Sequence, residues 1–170
     1  GLRWNDCDFE NNEIFINHNV IYRFRDYDGW RFRLTTPKTN AGNRVVPMLS
    51  EVREALLQER ENQKRFKLKS PTIDGYSNFV FLNREQNLHN PMTINRAIKR
   101  IIRDHNRDEV KLAEKEKWEP LLIRDFSVHN LRHTFCTRFC ENETNLKVIQ
   151  EIMGHSDIST TMNIYAEATA

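Results

Sequence analysis

The amino-acid sequence predicts an α+β fold that is mostly helical, with a small three-stranded antiparallel sheet near the N-terminus. Segments rich in β-branched and aromatic residues are concentrated before residue 50, and apolar residues recur at helical spacing after it. A chain of 170 residues can form one domain with a substantial core. The sequence contains no internal repeats and no low-complexity segments that would divide it.

Three segments before residue 50 have the composition of strands. The second of them alternates apolar residues with arginines, which is the period of a half-buried strand. Residues 36–43, which precede the third strand, contain Pro37 and a glycine and favour a hairpin loop, with Lys38 near its tip. The predicted strands are residues 13–24, 30–34 and 44–48.

The elements after residue 50 are predicted helices with capping residues at their ends. Ser127 and Asn145 have side chains that accept hydrogen bonds from first-turn amides, so each favours a helix directly after it. Gly154 favours a helix end, because glycine adopts the left-handed conformation easily. Residues 77–83 read as a short buried strand or turn, and the charged residues 107–119 are ambiguous. The predicted helices are residues 50–67, a segment from Pro91 or Thr93 to His105, one following Ser127, one from Asn145 to Gly154, and a last one that starts at Ser156 or Asp157 and contains Tyr165.

Composition limits the class of protein. Hydrophobic residues make up 38% of the chain and charged residues 29%, as in globular proteins with a polar surface. The net charge of +2 is too small to indicate a nucleic-acid partner, so the position of the positive charges matters more than their sum. No apolar run has the length of a membrane span and no segment resembles a signal peptide, so we expect a cytoplasmic protein.

The three cysteines, Cys7, Cys136 and Cys140, form no disulfide framework, which fits a reducing compartment. Cys136 and Cys140 are one helical turn apart. This spacing suits metal ligands, a redox pair or two small buried side chains, and packing is by far the most frequent role.

The last third of the chain contains four residues with complementary chemistry: His129, Arg132, His155 and Tyr165. The planar guanidinium of Arg132 can hold two phosphate oxygens, and either histidine can transfer protons near neutral pH. Tyr165 follows the Gly-His turn by ten residues and can act as a nucleophile. His129 and Arg132 are three residues apart in what we expect to be the first turn of a helix, where amide groups and the helix dipole favour an anion.

Each of these residues also has an ordinary interpretation. Histidines on a helix or in a turn are usually surface residues, an arginine often pairs with a carboxylate, and a helical tyrosine often packs in the core. The joint occurrence of the four residues, in this order and between short capped helices, favours attack on a phosphodiester.

The segments that carry these residues closely resemble a known signature. HNLRHTFCTRF, followed by VIQEIMGHSDISTTMNIYAE, resembles the C-terminal signature of tyrosine recombinases, the phage integrase family. LRWNDCDF, TPKTNAGNRVVPM and FVFLN are similar to other blocks of the family, in the same order. TPKTNAGNRVVP is most similar to integrases of conjugative transposons and related mobile elements.

The resemblance implies a role for five residues. Tyr165 matches the nucleophile, which forms a 3′-phosphotyrosine. Arg132 matches the second of two catalytic arginines, His129 the histidine before it, and His155 the position that holds the scissile phosphate. Lys38 matches the hairpin lysine that protonates the leaving 5′ oxygen. No metal or other cofactor is implied. The implied partners are double-stranded DNA and further copies of the protein, assembled into a tetramer on that DNA.

A basic stripe lies on the polar side of the predicted helix that ends at His105. By itself it is as well explained by a solvated face as by a nucleic-acid surface. The resemblance favours DNA, because the equivalent helix of the family lies in the major groove. Arg96 is the best candidate for a base contact. The stripe consists of Asn95, Arg96, Lys99, Arg100 and Arg103.

The sequence departs from the family pattern at its start. The first catalytic arginine of the family lies a few residues before the LRWxDxD block, which here begins at Leu2, so that position would precede Gly1. Arg3 belongs to the block and does not replace it. We therefore expect residues 1–170 to be a catalytic domain truncated at its N-terminus and impaired as it stands.

Three functions remain open from the sequence. The first is the catalytic domain of a site-specific recombinase that integrates or excises a mobile element. The second is a DNA-binding module that is inactive as this fragment. The third is a metal-dependent nuclease that uses His129, His133 and His155, although the i, i+4 histidine pair has no glutamate between its members as in HExxH. A type IB topoisomerase shares the tyrosine chemistry, but GHSDISTTMNIY resembles recombinases more closely, and the resemblance makes His133 structural.

Overall fold

A computed structural model describes residues 1–169 of the chain. Within this range the chain forms short strands followed by helices, with brief 3₁₀ turns at Trp4–Asp6 and Asn40–Gly42. The strands are β1 (Cys7–Asp8), β2 (Glu13–Ile16), β3 (Asn19–Arg25), β4 (Gly29–Thr35) and β5 (Arg44–Pro47). The helices are α1 (Ser50–Arg65), α2 (Pro91–Glu116), α3 (Val128–Asn142), α4 (Leu146–Met153) and α5 (Ile158–Thr169).

The strands form two antiparallel sheets. The first has the order β1-β2-β5, and its centre aligns Ile14 with Val46. The second is the hairpin β3–β4, which runs from the pair Asn19–Thr35 to the turn before Gly29. The predicted fold class, mostly helical with a small three-stranded antiparallel sheet near the N-terminus, is confirmed.

The predicted strand at residues 13–24 is two strands that belong to different sheets. The break falls at Asn17 and His18, whose side chains turn towards the N-terminal segment. The side-chain amide of Asn17 donates to the carboxylate of Asp6 at 3.5 Å, and Nε2 of His18 lies 2.6 Å from the carbonyl oxygen of Gly1. These polar contacts end β2 before β3 begins, which the β-rich composition of the segment did not reveal.

The prediction of a hairpin loop at residues 36–43 is wrong. The strand before this segment pairs with β3 and the strand after it pairs with β2, so the segment connects the two sheets. Its turn chemistry is used locally. The amide of Gly42 donates to Thr39 at 2.9 Å, and Gly42 packs so closely on Pro37 that a Cβ atom would lie 2.4 Å from the proline.

Helix α2 is longer than the apolar pattern predicted, because it continues through most of the ambiguous segment. Its C-cap residue, Lys117, has a left-handed conformation and donates its amide to the carbonyl of Ala113. Ile102 and Ala113 are buried, whereas Ile101 is 64% exposed. The chain after α2 is held back onto the helix by Asn106, which bonds both the amide and the carbonyl of Ile123 at 2.8 Å.

The core that positions the candidate site lies between α3, α4 and α5. It consists of the buried side chains of Cys136, Cys140, Ile149 and Met153. Both cysteines are nearly inaccessible, and burial beside Cys140 raises the pKa of Cys136 to about 11, so this pair has the small, apolar environment of packed thiols. None of the helices within residues 1–169 is long and apolar enough to cross a membrane.

Candidate active site

Helix α3 begins as predicted, with Ser127 as its N-cap residue. The Ser127 amide donates to the side-chain oxygen of Asn130 at 2.9 Å. The amide of Val128 is taken by a different helix, since it donates to the side-chain oxygen of Asn95 on α2 at 3.1 Å. The start of α3 is therefore partly satisfied by protein groups. Arg132 is the fifth helical residue, so the expectation that it lies in the first turn with His129 is wrong.

Helix α4 ends in the turn that carries His155. Gly154 has φ +68°, and its amide donates back to Gln150 at 2.8 Å. The His155 amide also donates to the Gln150 carbonyl, and the Gln150 side chain returns a bond to the His155 carbonyl, both at 3.1 Å. These bonds fix the backbone on both sides of the glycine.

Two arginines satisfy the carbonyl groups that α4 leaves unpaired at its end. Arg132 of α3 donates through Nη2 to the carbonyl of Met153. Arg44, the first residue of β5, donates through Nε to the carbonyl of Ile152 at 2.9 Å. The last carbonyls of a helix have no intrahelical partner and carry the negative end of the helix dipole, so two guanidinium groups suit this position.

His155 is half-buried between α4 and α5. Its Nδ1 lies 3.0 Å from Oγ1 of Thr161, a fully buried residue of α5. Burial, followed by the positive charge of Arg132 and of Arg44, lowers the pKa of His155. At neutral pH the ring is therefore uncharged. If Nδ1 accepts the bond from the Thr161 hydroxyl, the proton is carried by Nε2, which is left to donate to a ligand.

A cavity of about 270 Å³ brings together three of the residues that the sequence singled out, His129, Arg132 and His155. The rings of His129 and His133 meet edge to face, with centroids 4.7 Å apart. Within residues 1–169 there is no group of three or more histidine, cysteine or carboxylate side chains that could hold a metal ion. The lining residues are His129, Arg132, His133, Cys136, Met153, His155, Thr160 and Ile164.

Tyr165 lies on α5 beside this cavity. It is half-buried and packs against the core cluster of α3 and α4, two members of which, Cys136 and Met153, also line the cavity. The preceding residue, Ile164, lines the cavity itself. Tyr165 itself does not line the cavity; its helix contributes Thr160 and Ile164 to the lining, and the tyrosine packs on a cluster that shares Cys136 and Met153 with it.

Lys38 lies on the connection between the two sheets and is exposed. The far end of that connection approaches the histidine turn. Ala41 and Arg44 line a second cavity together with His155 and the adjacent Ser156. The structure therefore places the lysine on a segment that borders the site, and the Lys38 side chain itself projects from an exposed position.

The basic stripe on α2 forms one wall of a broad groove of about 940 Å³. Arg96 and Lys99 are exposed on this wall, while Asn95 is half-buried and bonded to α3. One carboxylate, Asp125, faces the groove from the chain before α3. The groove is lined by Thr93, Arg96, Ala97, Lys99, Arg100, Ile102, Arg103, Asn106 and Asp125.

Two residues of the site were not found by sequence reasoning. Arg44 was assigned to a strand, and only the tertiary structure shows that its guanidinium reaches the end of α4. Thr161 sits in a run of small polar residues that gave no signal for a buried partner of His155. Once the structure shows that Thr161 is buried, its hydroxyl must have a hydrogen-bond partner, and this requirement points to His155.

Comparison with known proteins gives one consistent relationship. The model of the phage integrase family matches residues 1–170. The chain is 38% identical, over 99% of its length, to the transposase of transposon Tn916 from Enterococcus faecalis, and 31% identical, over 97%, to a XerC-like tyrosine recombinase from Caldanaerobacter subterraneus. It spans 38% and 40% of the length of these two relatives.

A solved structure shows the same arrangement of elements. It is the integrase of transposon Tn1549 in complex with transposon right end DNA, with a TM-score of 0.79 and 32% identity. The match covers 97% of this chain and 48% of the integrase chain.

Proposed function

The chain belongs to the phage integrase family, and we propose on this premise that residues 1–170 form the catalytic domain of a site-specific DNA recombinase that integrates or excises a mobile element. The observation that carries the proposal is the cavity in which a guanidinium, a neutral imidazole and a second histidine meet beside the tyrosine helix. The similarity to transposon proteins over almost the entire chain supports the choice of a mobile element.

The reaction we propose is a transesterification. The Tyr165 oxygen attacks the scissile phosphorus, a bond to the tyrosine forms, and the bond from phosphorus to the 5′ oxygen breaks. The phenol proton passes to a histidine of the cavity, and the leaving 5′ oxygen takes its proton from Lys38. The 3′-phosphotyrosine keeps the energy of the broken bond, so a 5′ hydroxyl can reverse the step without a nucleotide cofactor.

Fixed donors stabilise the negative charge that accumulates on the phosphate. Arg132 uses one of its five N–H groups on the Met153 carbonyl, which leaves others for phosphate oxygens. In the tautomer whose Nδ1 accepts from Thr161, the neutral His155 ring donates from Nε2, and His129 borders the same cavity. Donors that are held in place before the reaction need no reorganisation in the transition state, and this mechanism requires no metal ion.

The groove along α2 is the proposed surface for double-stranded DNA. The groove is lined by four cations, Arg96, Lys99, Arg100 and Arg103, and by one carboxylate, Asp125; Arg103 also lies 3.5 Å from Asp104 outside the lining. Asn95 accepts the Val128 amide through its oxygen, so only its amide group is available to DNA. The structure of the Tn1549 integrase was determined with transposon DNA, which supports the same partner here. We extend the proposal to assembly of a tetramer on DNA, since site-specific recombination joins two cleaved duplexes.

The test is trapping of a covalent complex on a DNA substrate nicked near the cleavage site, from which the cleaved end is lost. We expect the protein that carries this chain to form the complex, and Tyr165→Phe to abolish it. Phenylalanine preserves the packing against the α3–α4 core, so DNA binding should be retained. Tyr76→Phe is the matched control, because it removes a hydroxyl from a half-buried tyrosine outside the cavity.

Two results would contradict the proposal. One is a phosphotyrosine that maps to Tyr22, Tyr27 or Tyr76. The other is cleavage that needs a divalent ion and stops in excess chelator, which would favour the metal-dependent nuclease. DNA binding with no covalent product, in a variant of the chain extended upstream to supply the first arginine of the family, would favour a binding module.

A further inference from the structure

We infer that Arg44 is a positioning residue for DNA cleavage: it bridges the turn that carries His155 and the connecting segment that carries Lys38. The inference rests on the proposed function of the site. Arg44 need not touch DNA for this role. It acts through the two groups on either side of it, and its own contacts are to main-chain atoms.

The first contact fixes the histidine turn. Nε of Arg44 donates to the carbonyl of Ile152 at 2.9 Å, next to the Met153 carbonyl that accepts from Arg132. Two consecutive carbonyls at the end of α4 are thus bound by guanidinium groups from β5 and from α3. Because they are held from two directions, the end of α4 has a defined position relative to both elements, and His155 follows two residues later.

The second contact holds the connecting segment. Nη1 of Arg44 lies 3.4 Å from the carbonyl oxygen of Gly42. The adjacent Ala41 carbonyl oxygen lies against Gly154, 3.0 Å from the point where a Cβ atom would stand. One guanidinium therefore bonds to the 41–43 end of the connection and to the end of α4. The lysine and the histidine are on the two backbones that it joins.

Gly154 makes this arrangement possible. A Cβ atom at this position would lie 2.6 Å from Nη1 and 2.7 Å from Cζ of Arg44. The absence of a side chain leaves the space that the guanidinium occupies beside the turn. The glycine is therefore required for two reasons, its left-handed backbone and the space that Arg44 occupies.

Arg44 is half-buried and has no carboxylate within 4 Å among the residues that the structure describes. Burial and the neighbouring Arg132 lower the pKa of Arg44, and a guanidinium remains charged even so. Desolvation and the neighbouring Arg132 cost stability at this position, and the bonds to the carbonyls of Ile152 and Gly42 offset part of that cost. The role we infer for Arg44 is the geometry that these bonds enforce on the two neighbouring segments.

The test compares Arg44→Gln with wild type in two measurements. The first is NMR titration of the His155 ring. Its signal is assigned as the one that disappears in His155→Asn and is retained in the control variant Arg65→Gln. The charged and titratable groups that line cavities with His155 are Arg44 from β5, His129, Arg132, His133 and Cys136 from α3, and Lys147 and Glu151 from α4. Loss of Arg44 removes a positive charge and loosens the turn, so the pKa of His155 should rise towards its ordinary value. Arg65→Gln removes an exposed arginine from the last turn of α1 and should leave this pKa unchanged.

The second measurement is single-turnover cleavage of the trapping substrate at saturating DNA. We expect Arg44→Gln to slow cleavage roughly a hundredfold, the cost of a small misplacement of reacting groups, with little change in the affinity for DNA. Arg44→Lys should recover only part of the rate, because an ammonium group cannot span both carbonyls as the planar fork does. If Arg44→Gln does not fold, Arg44→Lys alone decides the matter: a reduced rate at unchanged affinity supports the inference.

A His155 that titrates as in wild type in Arg44→Gln, or a wild-type cleavage rate in Arg44→Lys, would overturn the inference. The titration needs no DNA and no activity. If Tyr165→Phe still forms the covalent complex, the proposed function fails while the titration result stands, so the two failures can be told apart.

Discussion

Arginines at two places in this molecule have different surroundings. On α2, Arg103 and Arg107 are 74% and 58% exposed and lie 3.5 and 3.6 Å from the carboxylate of Asp104. At the end of α4, Arg44 and Arg132 are bonded to main-chain carbonyls. The first pair is compensated by a neighbouring acid and surrounded by water. The second pair is held by backbone and faces a cavity.

This difference indicates which region sets the affinity for DNA and which sets the rate of cleavage. Exposed ion pairs are worth about 0–1 kcal/mol and are screened by salt, so the α2 cations act through their summed field and each is replaceable. A guanidinium bonded to backbone has one position, and moving it moves what is bonded to it. We therefore expect changes at the end of α4 to affect the rate of cleavage, and changes along α2 to affect affinity and its dependence on salt.

The largest effect on the rate of cleavage is expected for Lys38→Ala, on the segment whose far end approaches the histidine turn. If Lys38 protonates the leaving 5′ oxygen, its loss should slow single-turnover cleavage by about a hundred- to ten-thousand-fold. A substrate with a 5′-bridging phosphorothiolate has a thiolate leaving group that needs no proton, so it should restore the rate of the variant. A variant that stays equally slow on this substrate would show that Lys38 binds or positions DNA and is not the acid.

A smaller effect, on stability as well as rate, is expected for Gly154→Ala. The backbone term alone is about 1–2 kcal/mol for a left-handed alanine, and the new Cβ atom must also displace Arg44. Gly75→Ala is the matched control, because Gly75 has φ +81° and nothing lies within 4 Å of its ideal Cβ position. Chemical denaturation should show a larger loss of unfolding free energy for Gly154→Ala, and only that variant should slow cleavage. Equal losses in the two variants would mean that Arg44 gives way without cost.

Much of this site followed from the sequence because its residues lie in local motifs. Ser127, Asn145 and Gly154 are capping residues whose effect extends over one helical turn, so the start of α3 and both ends of α4 were predicted from neighbouring residues alone. The turn that carries His155 then needed no tertiary information.

The rest depended on partners that are distant in sequence. The bond from Arg44 to Ile152 spans 108 residues, and the bond from Asn95 to Val128 spans 33. No periodicity or spacing encodes such pairs. The misassigned connection at residues 36–43 has the same origin, since the pairing of β5 with β2 is decided by how the sheets pack and turn residues alone do not report it.

The smallest effect is expected along the α2 groove. Phosphate contacts release counterions, so the logarithm of DNA affinity should fall linearly with the logarithm of salt concentration, with a slope of about 0.9 per contact. Neutralising Arg96 and Arg100 together should reduce that slope by about two, weaken binding across DNA sequences, and leave the single-turnover rate at saturating DNA near that of wild type. Arg107→Gln is the control on the same helix, because Arg107 pairs with Asp104 and Asp108 and does not line the groove. Binding measured at several salt concentrations decides the point. A slope that stays at the wild-type value in the double variant would place the DNA surface elsewhere on the chain. The exposed arginines of α2 would then not be the residues that set the affinity for DNA, and the expected division between affinity on α2 and rate at the end of α4 would fail.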